Sequence, residues 1–218
     1  MSLIRRRPQC LTLTYFLIYL PWFFLLEQRD TSQCTVIQLP VDELIPFCEY
    51  FILPYLLWFP YMALVIGYLL LTQSRAQFLR FSFLLFGGLT VCLVLYTLFH
   101  TGLALRPQLD PEKNLFTRLV SFLYLADTST NVCPSIHTFA TLTAHYALHR
   151  CGLGRRHPVL YAVSGILAAL IVLSTLLLKQ HSVLDAVAGA GLLLLLLPGA
   201  DRLFKEEGTS SRCLVPAE

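Results

Sequence analysis

Val159–Leu197 reads VLYAVSGILAALIVLSTLLLKQHSVLDAVAGAGLLLLLL. Two apolar runs, Val159–Leu178 and Val183–Leu197, flank the polar patch KQHS. The first run carries no charge, and the second carries only Asp185. Crossing the hydrocarbon core takes about 20 largely apolar residues in a helix. Each run therefore reads as a membrane span, and the patch between them as the turn. Ionisable groups are expensive in or beside hydrocarbon, and those that persist there face a cavity, a partner or a site. The question is why Lys179, His181 and Asp185 stand so close together at the mouth of such a hairpin.

The rest of the chain has the same character. Of its residues 56% are hydrophobic and 13% charged, with a mean hydropathy of +0.65. A soluble domain carries nearer a quarter charged residues. Four further candidate spans follow from apolar length: Leu11–Leu26, kinked or broken near Pro21; a segment within Ile45–Leu71 carrying Glu49, Pro54 and Pro60; Phe81–Phe99; and Cys133–Leu148, which is shorter and more polar. The expectation is an all-α, polytopic membrane bundle of about six helices. It forms a single domain over residues 1–200, followed by a polar tail over 201–218. The N-terminus is basic and then apolar, but no small-residue cleavage site follows, so a retained first helix is expected. The net charge of +3 carries no nucleic-acid signal.

The seven cysteines form no CxxC pair and no zinc spacing. A Cys34–Cys133 disulfide would need both residues to face an oxidising side. Gly87–Gly88 and Gly189–Gly191 read as helix-packing sites, since small residues let helix backbones approach.

Lys and Arg gather on the cytoplasmic side of membrane proteins. With six spans and an inner N-terminus, the inner segments hold Arg5, Arg6, Arg7, Arg75, Arg80, Arg150, Arg155, Arg156, Arg202, Lys205 and Arg212. The outer segments hold only Arg29, Arg106, Lys113, Arg118 and Lys179. Both termini are thus expected to be cytoplasmic. The same assignment collects three polar clusters at the outer face.

The first cluster is LRPQLD, Leu105–Asp110. Alone it suits an interfacial Arg reaching for headgroups. The second is DTSTNVCPSIHTFATLTAHYALH, Asp127–His149. Pro134 suits a first helical turn, and a helix N-terminus suits a phosphate, with His137 in the same space. A capped helix whose His bonds a neighbour accounts for this stretch equally well. His145 and His149 lie further down and suit structural or inner-interface roles. The third cluster is the KQHSVLD patch. On a helix, positions i and i+4 share a face, which would let Asp185 orient the His181 ring as in catalytic triads. Ser182 and Lys179 would add donors. A metal site from His137, His181 and Asp185 is acceptable by ligand type but lacks HExxH or comparable spacing. No GxSxG elbow occurs.

Together these clusters resemble the type 2 phosphatidic acid phosphatase superfamily. Its motifs are Lys, six residues, Arg-Pro; then Pro-Ser-x-His; then Ser-Arg, five residues, His, three residues, Asp. Here the second is complete as Pro134-Ser135-Ile136-His137, the third keeps its spacing through Ser174, His181 and Asp185, and the first survives as Arg106-Pro107. Phe99 stands in place of the motif Lys and Thr175 in place of the motif Arg. The reduced pattern looks like the branch near the inositol phosphorylceramide and sphingomyelin synthases.

The resemblance implies that His181 is a nucleophile forming a phosphohistidine, that Asp185 orients it, and that His137 is the acid and then the base. Arg106, Ser135 and Ser174 would hold phosphoryl oxygens, with Lys179 standing in for a missing cation. No cofactor or metal is implied. The substrate would be a lipid phosphate or diphosphate taken from the surrounding membrane lipids. Water as acceptor makes a phosphatase and an alcohol makes a phosphotransferase. A non-catalytic protein that kept the pocket to bind phosphorylated lipid is the third alternative.

Overall fold

The structure, a computed structural model, describes residues 7–204. Arg5, Arg6, Lys205, Arg212, Cys213 and most of the polar tail lie outside the described residues. The chain is helical. A 3-10 segment, Pro8–Tyr15, leads into α1 (Phe16–Glu27). Next come β1 (Thr35–Val36), the short α2 (Pro40–Leu44), α3 (Ile52–Thr72) and α4 (Arg75–Leu98). β2 (Thr101–Gly102) pairs in parallel with β1. Then follow α5 (Leu115–Ala126), α6 (Ile136–Arg150), the single turn α7 (Leu153–Arg156), α8 (Pro158–Leu177) and α9 (Val183–Leu203).

Among the described residues, five helical segments are long and apolar enough to cross a membrane: Pro8–Glu27, Glu49–Thr72, Arg75–Leu98, Pro158–Leu177 and Val183–Leu203. Their outward faces are apolar too, with Leu17, Ile18, Leu64, Ile166, Val187 and Leu195 all exposed. A helix apolar on every side belongs in a core or in lipid, and this marks a multi-pass membrane architecture.

The remaining long helix, α6, sits at the centre and packs against α3, α4, α8 and α9. It has 15 residues, a rise of about 22 Å, short of the ~30 Å hydrocarbon core. Its surroundings are protein, not lipid: Phe139, Ala140, Thr141, Thr143 and Ala144 are all buried. That explains why its sequence is more polar than the peripheral helices.

Several boundaries differ from expectation. In the first segment the irregularity precedes Pro21: the chain is 3-10 up to Tyr15 and α-helical from Phe16, with Pro21 inside the helix. A proline ring crowds the carbonyl four residues earlier, so the disturbance falls on the N-terminal side. α4 starts at Arg75, because Ser74 caps it and exchanges hydrogen bonds with Gln77 three residues on. Pro134 is not in the first turn of α6. It precedes the N-cap Ser135, and its carbonyl accepts from Tyr96 Oη at 2.5 Å. The polar tail does not begin at residue 201. α9 continues through Pro198 to Leu203, and Asp201 pairs with Arg80 at 2.5 Å. Cys34 and Cys133 are both free.

The loop Arg106–Asn131 contains an unforeseen amphipathic helix, α5. Asn114 caps it by accepting from the Thr117 N–H at 2.8 Å. Its inner side packs Val120 against Ile52, Tyr55 and Leu178, while Leu115, Phe122 and Leu125 face outward.

The glycines divide. A Cβ at Gly88 would lie 1.9 Å from the Phe139 ring, and one at Gly189 would lie 2.7 Å from the Ser135 carbonyl oxygen. Gly87 and Gly191 have nothing within 4 Å. Gly189 therefore lets α9 lie directly on the start of α6. Gly189→Ala is expected to lower the thermal midpoint in detergent by an amount corresponding to about 1–3 kcal/mol. Gly191→Ala, the control, should leave it unchanged or slightly raised, since alanine is the better helix former. Equal midpoints for the two variants would refute the close-approach role.

Candidate active site

The candidate site lies at the end of the bundle where α6 and α9 begin and α8 ends. Its frame is the contact between the two helix starts. The Ser135 N–H donates to the Asp185 carbonyl at 2.9 Å, and Gly189 removes the side chain that would hold the helices apart.

The turn from α8 to α9 explains how His181 is presented. α8 ends in a Schellman motif: the Gln180 N–H donates to the Thr175 carbonyl at 2.9 Å and the Lys179 N–H to Leu176 at 3.1 Å. Lys179 occupies the left-handed position, with φ 54°, usually taken by glycine. The His181 N–H also reaches the Thr175 carbonyl, at 3.1 Å. Ser182 then caps α9. Its Oγ accepts from the Asp185 N–H at 3.2 Å, and Asp185 Oδ2 accepts from the Ser182 N–H at 2.8 Å.

His181 is therefore outside the helix, not one turn below Asp185 on a shared face. The two side chains still meet, because the cap folds the preceding residue back over the first turn. His181 Nδ1 lies 3.6 Å from Asp185 Oδ2. That is ion-pair range and longer than a hydrogen bond. Asp185 is fully buried and His181 is 8% exposed. Asp185 Oδ1 and the Nδ1 atoms of His137 and His181 have no hydrogen-bond partner among the described residues.

His137 enters from the first turn of α6. Its ring centroid is 5.7 Å from that of His181. Tyr55 and Trp58 of α3 hold it from the other side, at 4.7 and 4.6 Å. His137, His181 and Asp185, spread over the second and third sequence clusters, thus meet in one cluster. His145 and His149 do not. They bond Ser164 and Tyr161 toward the opposite end of the bundle.

The residues expected to hold phosphate fare differently. Ser135 is the α6 N-cap, its Oγ accepting from the Thr138 N–H at 3.3 Å. Ser174 is buried within α8 and donates to its own Ile171 carbonyl at 2.6 Å, so its hydroxyl proton is committed. Lys179 is directed to α2 instead. Its Nζ donates to the carbonyls of Asp42 (2.6 Å) and Ile45. Burial lowers its pKa, opposed by Asp42 and Glu43. An ammonium at a left-handed C′ position finds the nearest carbonyls, and here those belong to α2 and the residue after it. Lys179→Met is expected to leave anion affinity unchanged. It should lower the thermal midpoint, since hydrogen bonds from a charged donor are each worth about 1.5–3 kcal/mol. Weakened vanadate inhibition in this variant would restore Lys179 to the site.

Arg106 does reach the residue next to His181, as a strut. Its terminal nitrogens donate to the carbonyls of Tyr124 (3.2 Å), Asp127 (2.7 Å) and Thr128 (2.8 Å) and to Gln180 Oε1. Its guanidinium lies over the Tyr124 ring at 4.3 Å, and Tyr124 Oη donates to the Leu178 carbonyl at 2.8 Å. Burial pulls the Arg106 pKa down, with Asp127 the main opposing influence. Asp127 accepts from Tyr55 Oη at 2.5 Å. Burial pushes its carboxyl above the ordinary range, against the pull of that hydrogen bond.

Tyr55, Trp58, Asp127 and Gln180 were not singled out from sequence. Gln180 and Asp127 were visible inside the polar clusters. Tyr55 and Trp58 gave no signal, because an aromatic residue in an apolar span reads as lipid-facing or core. Among the described residues no group of three His, Cys, Asp or Glu is placed to hold a metal. Compared with protein-family models, curated proteins and solved structures, the chain matches none.

Proposed function

We propose that the chain is an integral-membrane phosphoesterase of the type 2 phosphatidic acid phosphatase kind, hydrolysing a lipid phosphate or diphosphate at the outer membrane face. The observation that carries this is the grouping of His181, Asp185 and His137: two histidine rings 5.7 Å apart, one with its Nδ1 turned to a buried carboxylate. Those three residues are also the ones the resemblance assigns to chemistry.

With Nδ1 facing Asp185, Nε2 of His181 is the nitrogen left to attack. It bonds to phosphorus as the bond from phosphorus to the leaving oxygen breaks, and His137 gives that oxygen its proton. A water molecule then attacks the phosphohistidine, His137 takes the water proton, the P–N bond breaks, and phosphate leaves. Asp185 stabilises the positive charge on the His181 ring in both steps. The long Nδ1–Oδ2 separation suits a resting site, since catalytic hydrogen bonds tighten when substrate binds.

Six crossings with both termini inside complete the proposal. α6 is the sixth, shielded from lipid by its neighbours. The basic residues Arg7, Arg75, Arg80, Arg150, Arg155, Arg156 and Arg202 fall at the end opposite the pocket, which by the bias of Lys and Arg is the cytoplasmic end. The test is phosphate release by the purified chain across long- and short-chain lipid phosphates, with His181→Ala as control. Release equal in both proteins, or absent from the unaltered chain on every lipid phosphate, would overturn the proposal.

A further inference from the structure

The site lacks two of the cations its chemistry would ordinarily use. Phe99 is exposed at the end of α4, Thr175 is fully buried with its hydroxyl on the Val172 carbonyl, and Lys179 is spent on two carbonyls elsewhere. Arg106 gives its terminal nitrogens to three carbonyls and Gln180, while its Nε is buried without a partner among the described residues. A phosphoryl group next to His181 would still need donors for its oxygens.

Gln180 directly precedes His181 and is 2% exposed. Its Oε1 accepts from Arg106. A guanidinium has donors only, so Arg106 fixes which end of the amide it meets and leaves the NH2 facing elsewhere. That NH2 is buried and has no acceptor among the described residues. A buried, unsatisfied donor is costly unless something later fills it. Backbone geometry also holds Gln180 still: its N–H closes the Schellman motif on Thr175.

We propose that Gln180 is a phosphoryl-binding residue, its Nε2 donating to a non-bridging oxygen of the group attacked by His181, with Arg106 as the positioning residue that sets the amide. This rests on His181 being the nucleophile. It gives the site a neutral, pre-oriented donor where the Thr175 and Phe99 positions supply none.

Gln180→Glu isolates the donor. It keeps an oxygen for Arg106, and so the rim, but replaces the NH2 with an acceptor. Gln180→Met removes both ends at similar length. Orthovanadate is the probe, its binding followed directly by vanadium resonance and by inhibition of phosphate release, on the full chain in detergent. The expected result is vanadate affinity weaker by about 100-fold in Gln180→Glu and about 10-fold in Gln180→Met, with kcat falling by about 100-fold, the usual loss on removing one such donor. The thermal midpoint of Gln180→Glu should match that of the unaltered chain. Vanadate affinity equal to that of the unaltered chain in both variants would overturn the role of Gln180 while leaving His181 standing. An unaltered chain that neither binds vanadate nor releases phosphate would overturn the phosphoesterase reading and this one with it. Should Gln180→Glu fail to fold, the Met variant decides alone: unchanged affinity there refutes the proposal.

Discussion

His181→Ala is expected to cut phosphate release by at least about 1,000-fold, the scale of losses seen when a nucleophile is removed, while the protein still folds in detergent. The structure explains why the two readouts should separate. What anchors residue 181 is its backbone N–H on the Thr175 carbonyl, which alanine retains. Its ring makes no hydrogen bond at Nδ1. Truncation therefore removes the chemistry and some packing, but not the backbone anchor that holds the turn. Rapid acid-free quenching of the unaltered chain with labelled lipid phosphate should trap label on protein, and the label should vanish in the variant. Adding an acceptor alcohol separates hydrolysis from transfer, because label would then appear in a new lipid. Undiminished release by His181→Ala would end the assignment of the nucleophile.

Asp185→Asn should lower kcat by about 100- to 10,000-fold, the upper figure being the loss when the analogous acid of a serine protease triad becomes an amide. One carboxylate oxygen both accepts from the Ser182 N–H and faces His181 Nδ1, 2.8 and 3.6 Å away. An amide of the same shape keeps one acceptor. If that oxygen takes the Oδ2 place, both contacts survive and only the negative charge that stabilises the His181 imidazolium is lost. If the amide flips, its NH2 faces both the Ser182 N–H and His181 Nδ1, weakening the cap and favouring the wrong tautomer together. The stability cost is that of a damaged cap, about 0.5–2 kcal/mol. Loss of activity far beyond loss of stability is therefore the expected signature. An active Asp185→Asn protein with a lowered midpoint would reduce Asp185 to a helix cap.

The legible part of the fold lay where one local property decides the outcome. Apolar length alone located the segments Glu49–Thr72, Arg75–Leu98, Pro158–Leu177 and Val183–Leu203 to within a few residues at most ends. It failed at residue 201, because Asp201 is held in α9 by Arg80, a partner far away in sequence. It also failed at α5, whose 12 residues are too few to span and whose apolar inner face is meaningful only against Ile52 and Tyr55. The site divided in the same way. The spacing of His181 and Asp185 was readable, though the geometry that joins them is a cap, not a shared helix face. That Lys179 leaves for α2 while Gln180 meets Arg106 was not readable. Both are polar neighbours of His181, and only the left-handed backbone at 179 turns one toward α2 while Arg106 seats the other.

By itself the sequence determined that this chain is a multi-pass helical bundle and that its unusual polar residues would gather at one end. Hydrophobic length and the cost of charge in hydrocarbon act on each segment separately, so no partner need be known. Tertiary structure decided which of those residues face one another. Gly189 admits α6 beside α9 and so brings His137 to His181. Backbone carbonyls of Asp42 and Ile45 claim Lys179, and Arg106 orients Gln180. Each is a contact between distant segments, and which donor finds which acceptor depends on how closely the helices approach.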